Sequence, residues 1–254
     1  MLIRSQNWLV WGVFAFLLML GLSIYDDYGI SWDEDIQRIT GYVNYRYITG
    51  VSDQLKTFIV RFYGPVFEII LVAAERMFKV SNDLRKVYLL RHALTFLLMY
   101  IGMIYLYKIC SYRYQHWKWG IVGVLFLVLS PRIFAHAFYN CKDIPFMVFF
   151  LIAMYTFLRY LDDPTIYRCL CHALASALAI DIRVMGIILP IYTIFFIGVR
   201  LLINREYRVQ WKRTSVSLCV YVIVTVALMV LFWPTLWENT WGNLIAAFFD
   251  LGKH

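Results

Sequence analysis

Seven apolar runs of membrane-spanning or nearly spanning length constrain this chain more than any other feature. They lie at residues 8–25, 87–108, 119–135, 145–160, 169–182, 184–203 and 214–233. The hydrocarbon core of a bilayer is about 30 Å thick, and a helix needs roughly 20 apolar residues to cross it. The chain is 62% hydrophobic and 16% charged, whereas soluble domains are about half apolar and about a quarter charged. We therefore predict an all-α, polytopic integral membrane protein with about seven transmembrane helices.

The charged residues indicate how these helices are oriented. The net charge is +8, but the basic residues are scattered between apolar runs, so we do not expect nucleic-acid binding. The short connection 204–213 carries four basic residues, which is typical of a cytoplasmic loop. All but three of the sixteen acidic residues fall on the other side in this arrangement. With Arg4 near a cytoplasmic N-terminus, residues 26–83 then form a large outer loop.

Two amphipathic helices are expected in that loop. Residues 65–78 are apolar enough to suggest a span, but only six uncharged residues separate Glu68 from Glu75. That stretch is too short to cross the membrane, so we predict an interfacial helix that begins at Pro65. A second interfacial helix is expected over residues 36–47. The reversal near residues 181–183 has no real loop, which leaves either a tight outer turn or one long broken helix.

Polar residues recur at the outer ends of the predicted spans. The groups are Asp33-Glu34, Arg61–Pro65, the stretch from Ser130 to Asp143, and Asp181 with Arg183. Carboxylates and cations at one membrane depth would suit an anionic, lipid-linked substrate. Three alternatives stay open: a solvated first helical turn at Asp33-Glu34, lipid-headgroup anchors at Arg132 and Lys142, and a structural pair at Asp181 and Arg183.

The order of these features resembles the GT-C membrane glycosyltransferases. Within them it is closest to the protein O-mannosyltransferase-like and lipid A aminoarabinose transferase-like group. The first-loop sequence Ser31-Trp32-Asp33-Glu34 is similar to the Asp-Glu motif of that group, and Phe62-Tyr63-Gly64-Pro65 looks like its later Pro-containing motif. Pro131-Arg132, Asn140-Cys141-Lys142-Asp143 and Ile180-Asp181-Ile182-Arg183 stand where the group places polar residues at later outer turns.

The resemblance implies transfer of a sugar, a hexosyl or pentosyl group, from a polyprenyl-phosphate carrier to a protein, lipid or glycan acceptor. It implies Asp33 as the general base, with Glu34 as its catalytic neighbour. The expected substrate-binding residues are Tyr63, Arg132, Lys142, Asp143 and Arg183. No cofactor is certain: a divalent metal ion is compatible with the carboxylates, but no ligand spacing demands one. We expect the chain to lie among the lipids of a bacterial cytoplasmic membrane.

The chain also departs from the pattern of that group. Some members carry an acidic residue just before the Pro motif, where this chain has Phe62 and Tyr63. Members usually continue for further spans, so residues 1–254 are interpreted as a single N-terminal module, compatible with a truncated longer protein. The alternative functions are a transporter or flippase-like protein for a lipid-linked anion, and an inactive fragment or assembly subunit.

Overall fold

The computed structural model describes residues 7–250, and every regular element within that range is helical. Arg4, to which the sequence assigns a cytoplasmic position, lies outside the described residues. In chain order the α-helices are α1 Asn7–Ile24, α2 Glu34–Ile48, α3 Val66–Met77, α4 Leu84–Tyr114, α5 Trp117–Val128, α6 Pro131–Tyr139, α7 Asp143–Asp162, α8 Ile166–Ile182, α9 Ile188–Ile203, α10 Arg205–Val209, α11 Trp211–Phe232 and α12 Thr240–Asp250. Short 3₁₀ turns lie at Gln54–Thr57, Val184–Ile187 and Pro234–Leu236.

Four helices in the described range are long and apolar enough to cross a membrane, namely α4, α7, the 3₁₀ turn at 184–187 together with α9, and α11. A fifth crossing results if α5 and α6 form one span, although they are bent by 75° at their junction. The prediction of an all-α membrane protein is confirmed, but the count of seven spans is not. The first helix is a shorter apolar helix. Since α8 has 17 residues, it extends about 26 Å at 1.5 Å per residue.

The central helix of the bundle is α8, which packs against α7 and α11. Small buried residues such as Ala173, Ala177 and Ala179 let its neighbours approach closely. Two of its polar residues are paired inside the protein: His172 Nε2 lies 2.8 Å from the Thr193 hydroxyl oxygen of α9, and the Ser176 hydroxyl lies 2.9 Å from that of Tyr221. His172 precedes the break after Ile182 by as many residues as Thr193 follows it. Because the two side chains are nevertheless in contact, α9 must turn back along α8. The chain therefore reverses there rather than continuing as one broken helix.

The interfacial helices α2 and α3 bury their polar residues against the protein. In α2, Gln37 and Thr40 are buried, whereas Ile36 and Ile39 are 37% and 48% exposed. In α3 the two glutamates Glu68 and Glu75 are 3% and 2% exposed. With 15 and 12 residues, these helices are too short to cross about 30 Å.

Candidate active site

The start of α2 presents two neighbouring carboxylates to different surroundings. Glu34 is buried, with its Oε1 3.0 Å from His92 Nε2 of α4, and its Oε2 accepts the backbone N–H of Ser31 at 2.6 Å. Asp33 precedes the helix as its N-cap residue, yet its side chain makes no capping hydrogen bond. Its carboxylate is exposed and borders a cleft. The anchored glutamate thus fixes the chain next to an aspartate that faces outward.

The connection between α6 and α7 supplies the second part of the site. Its shape is set by Asn140, whose side-chain oxygen accepts the backbone N–H groups of Lys142 at 3.2 Å and Asp143 at 2.7 Å. The amide nitrogen of Asn140 lies 2.8 Å from His136 Nδ1 and donates to Asp143 Oδ2 at 3.1 Å. A short polar side chain that bonds the backbone two and three residues ahead stabilises a tight turn. That turn directs Lys142 and Asp143 into the cleft.

The third part comes from the reversal after α8. Arg183 follows α8 in an extended conformation, and its guanidinium donates to Asp143 Oδ1 in a close ion pair. The ammonium of Lys142 lies 3.6 Å from the ring centroid of Tyr63, a cation–π contact with the segment that precedes α3. Three segments far apart in sequence therefore meet at one place.

Between them these segments enclose a cleft of about 220 Å³. Its walls include Asp33, Glu34, His136, Lys142, Asp143 and Arg183. Its walls hold two cations, Lys142 and Arg183, and three carboxylates, of which Glu34 contacts His92 and Asp143 pairs with Arg183. Such a site can hold an anionic group and accept a proton beside it.

Burial lowers the pKa of Lys142 from its usual value, and the nearby positive charge of Arg183 lowers it further. The carboxylates of Asp143 and Asp33 act in the opposite direction with smaller effect. A buried ammonium whose charged form is disfavoured by a neighbouring guanidinium gains from an anion placed beside it. The part of the cleft beside Lys142 and Arg183 therefore favours an anionic group.

Six of the seven site residues predicted from the sequence lie in or beside this cleft. Tyr63 is reached through its contact with Lys142, and the others border the cleft directly. The exception is Arg132, which is exposed near the start of α6 and does not line the cleft that the described residues form. The catalytic and binding roles of these residues remain predictions. Within residues 7–250, no group of three or more His, Cys, Asp or Glu side chains is placed to hold a metal ion.

A buried ionic network beneath the site was missed from the sequence. Arg91 of α4 is 1% exposed and pairs with Glu68 and Glu75 of α3, the latter at 3.2 Å. Arg38 of α2 reaches Glu75 at 3.0 Å. Two signals could have predicted it: the seven-residue spacing of the glutamates places them on one helix face, and an arginine in an apolar helix usually has a partner inside the protein. The network joins α2, α3 and α4, and so supports the segment that carries Asp33.

Comparison with known proteins places the chain in a family. The family described as dolichyl-phosphate-mannose-protein mannosyltransferase matches residues 65–233, which is well over half of the chain. Searches of curated proteins and of solved structures gave no significant match. The family match covers the turn with Lys142 and Asp143, as well as Arg183, whereas Asp33 lies before the matched region. This chain belongs to the dolichyl-phosphate-mannose-protein mannosyltransferase family of membrane glycosyltransferases.

Proposed function

We propose that this protein moves a sugar from a polyprenyl-phosphate carrier to an acceptor hydroxyl at the membrane face formed by residues 26–83. The observation that carries the proposal is the meeting of Asp33, Lys142 and Arg183 around one cleft. The Asp33 carboxylate makes no capping hydrogen bond and lies near two cations. This arrangement suits a reaction in which an acceptor hydroxyl loses a proton to the carboxylate while a phosphate leaves beside the cations. The membership in a glycosyltransferase family supplies the reaction class.

The donor phosphate would be held by Lys142 and Arg183. Arg183 is paired with Asp143, so the carboxylate keeps the guanidinium in place and compensates its charge. An arriving phosphate would share that guanidinium and pair with the Lys142 ammonium. Hydrogen bonds between charged partners are about twice as strong as neutral ones.

Asp33 would act as the general base. Its carboxylate takes the proton of the acceptor hydroxyl, and the hydroxyl oxygen forms a bond to the anomeric carbon of the sugar. The bond between that carbon and the phosphate oxygen breaks, and its electron pair leaves with the carrier phosphate. Direct displacement in this way inverts the anomeric configuration. Glu34 lies next to Asp33 in the sequence but faces His92, so we assign it to the alignment of the base.

The test replaces Asp33 with Asn, which keeps the shape of the side chain and removes the proton acceptor. Purified protein is given labelled polyprenyl-phosphate sugars, both hexosyl and pentosyl, and the release of polyprenyl phosphate is measured. We expect turnover to fall about a hundredfold or more, while carrier binding is nearly intact. Asp26→Asn is the matched control, since Asp26 is an exposed acidic residue of the same loop and does not line the cleft. Near-normal turnover in a folded Asp33→Asn protein would refute the assignment.

The same proposal includes an orientation. We infer that residues 1–254 act as one membrane-embedded module in a bacterial inner membrane, with the N-terminus in the cytoplasm and residues 26–83 outside. This orientation is tested with the variants Asp53→Cys and Lys212→Cys. Each is labelled in intact cells with a membrane-impermeant thiol reagent, and its labelling is compared with that of the parent protein. Position 53 should react and position 212 should not. The reverse pattern would overturn the orientation.

A further inference from the structure

A second cavity lies at the opposite end of α7 from the candidate active site. Arg159 at this cavity and Asp143 at the site are sixteen residues apart on α7, which corresponds to about 24 Å along the helix axis. The cavity has a volume of about 310 Å³, and its walls include Tyr105, Tyr155, Arg159, Tyr167, Arg168 and Cys171 from α4, α7 and α8. We call it the tyrosine groove. Its distance from the site approaches the thickness of a hydrocarbon core, so it faces the other membrane surface.

The walls of the tyrosine groove are rich in aromatic rings. The rings of Tyr105 and Tyr155 meet edge to face with their centroids 5.5 Å apart. The ammonium of Lys108 lies 4.8 Å from the first centroid and 5.6 Å from the second. Tyr167 stands beside them and is 74% exposed. Aromatic rings with polar tips suit the boundary between acyl chains and headgroups.

The charges around the tyrosine groove leave one cation in excess. Arg159 pairs with Asp162 at 3.6 Å, and Arg168 pairs with Asp163 at 3.3 Å. Lys108 is exposed, and among the described residues it has no carboxylate within ion-pair distance. Its contacts are with the two aromatic rings, which attract a cation without neutralising its charge. The groove therefore has a net charge that matches one phosphodiester.

We propose that the tyrosine groove binds one anionic glycerophospholipid. The lipid phosphate pairs with Lys108 and lies near the guanidinium of Arg168, and an acyl chain lies along Tyr105, Tyr155 and Tyr167. Charge complementarity and the aromatic walls together select a lipid with a negative headgroup over a zwitterionic one. This inference concerns a different membrane face from the catalytic proposal and does not depend on it.

The test uses Cys171, a free and half-buried thiol in the groove wall. The full chain is reconstituted in phosphatidylcholine with increasing phosphatidylglycerol, and the rate of maleimide addition to Cys171 is followed by site-resolved mass spectrometry. We expect phosphatidylglycerol to slow the reaction. Lys108→Gln should raise the phosphatidylglycerol fraction needed for half protection about fivefold, the effect of one basic residue at a membrane surface.

Lys118→Gln is the matched control, because Lys118 is an exposed lysine at the start of α5 that contacts Trp117 and does not line the groove. An unchanged midpoint in this variant supports the proposal. The proposal is overturned if phosphatidylcholine alone protects Cys171 equally, or if Lys118→Gln shifts the midpoint as much as Lys108→Gln. It is also overturned if glycerol 3-phosphate, which has the phosphate but no acyl chain, protects as well as the lipid.

Discussion

Replacing Arg91 with methionine should destabilise the protein by unbalancing the charges beneath the candidate site. In the native network two arginines, Arg38 and Arg91, offset two glutamates, Glu68 and Glu75. Without Arg91, Glu75 keeps its 3.0 Å contact with Arg38, whereas Glu68 loses the arginine with which it pairs. Methionine fills much of the volume of the arginine side chain. The loss of stability therefore reports the unpaired Glu68 carboxylate more than an empty cavity.

The size of the effect follows from burial. Arg91 and Glu68 have side chains 1% and 4% exposed, and breaking such a buried pair costs about 3–5 kcal/mol. In a chain of this length each kcal/mol lowers Tm by about 2–4 °C. We therefore expect Tm in detergent to fall by about 6–20 °C. Arg38→Met is the comparison: it leaves Glu75 paired with Arg91, and Arg38 itself is 24% exposed, so its cost should be smaller.

These differences in Tm are measured by heating the purified variants in detergent and monitoring how much monodisperse protein remains. The decisive variant is Arg91→Met combined with Glu68→Gln, which removes the unpaired charge and should recover part of the lost stability. If the double variant melts no higher than Arg91→Met alone, unpaired charge is not the cause of the loss. Equal losses for Arg91→Met and Arg38→Met would also contradict the reasoning.

Three further predictions concern the cleft and its walls. Lys142→Gln and Arg183→Gln should each weaken carrier binding by about 1.5–3 kcal/mol. Arg132→Gln should weaken it far less, because Arg132 does not line the cleft. Equal effects of all three variants in a titration with labelled carrier would contradict this prediction. Because burial and Arg183 lower the pKa of Lys142 below the usual 10.5, carrier affinity should be highest below that lowered pKa and fall as the pH rises through it. The Lys142→Arg variant stays charged and should bind without this fall; a persistent fall would exclude Lys142 as its source. Gly64→Ala should lower Tm, because the new Cβ would lie 1.8 Å from the backbone oxygen of Asp181. Gly29→Ala should leave Tm unchanged, because its Cβ would meet nothing within 4 Å. Similar Tm values for the two variants would show that the loop containing Gly64 shifts freely.

The sequence predicted the helical membrane class because the length of an apolar run is a direct physical requirement of the bilayer. It was less successful with the number of spans, and α8 illustrates why. Its buried face is rich in alanine, and its polar residues His172 and Ser176 are paired with other helices. A helix surrounded by protein needs less hydropathy than one that faces lipid, so hydropathy alone does not settle how α8 relates to the membrane.

The placement of Arg132 shows a second limit of sequence reasoning. Membrane depth is one coordinate, and residues at the same depth can lie far apart in the membrane plane. The sequence suggested a straight span over residues 119–135, whereas α6 is bent by 75° from α5. The bend turns α6 away from the direction of α5, and the cleft reaches His136 and Asn140 but not Arg132, one turn before His136. That bend occurs at the junction before Pro131, where Ser130 precedes the helix.

The contrast between Asp33 and Glu34 shows how this fold presents the carboxylate of Asp33, the proposed base, at the edge of the cleft. Successive residues of a helix point about 100° apart, so two neighbouring carboxylates at a helix start point in different directions. Glu34 turns toward His92, and further along the same helix Arg38 joins Glu75. The apolar side chains Ile36 and Ile39 point outward, where acyl chains can cover them, so they contribute no directional contact to the protein. Hydrogen bonds and ion pairs have preferred geometries that apolar contacts lack. The orientation of α2, and with it the position of Asp33, is therefore fixed by its buried polar face.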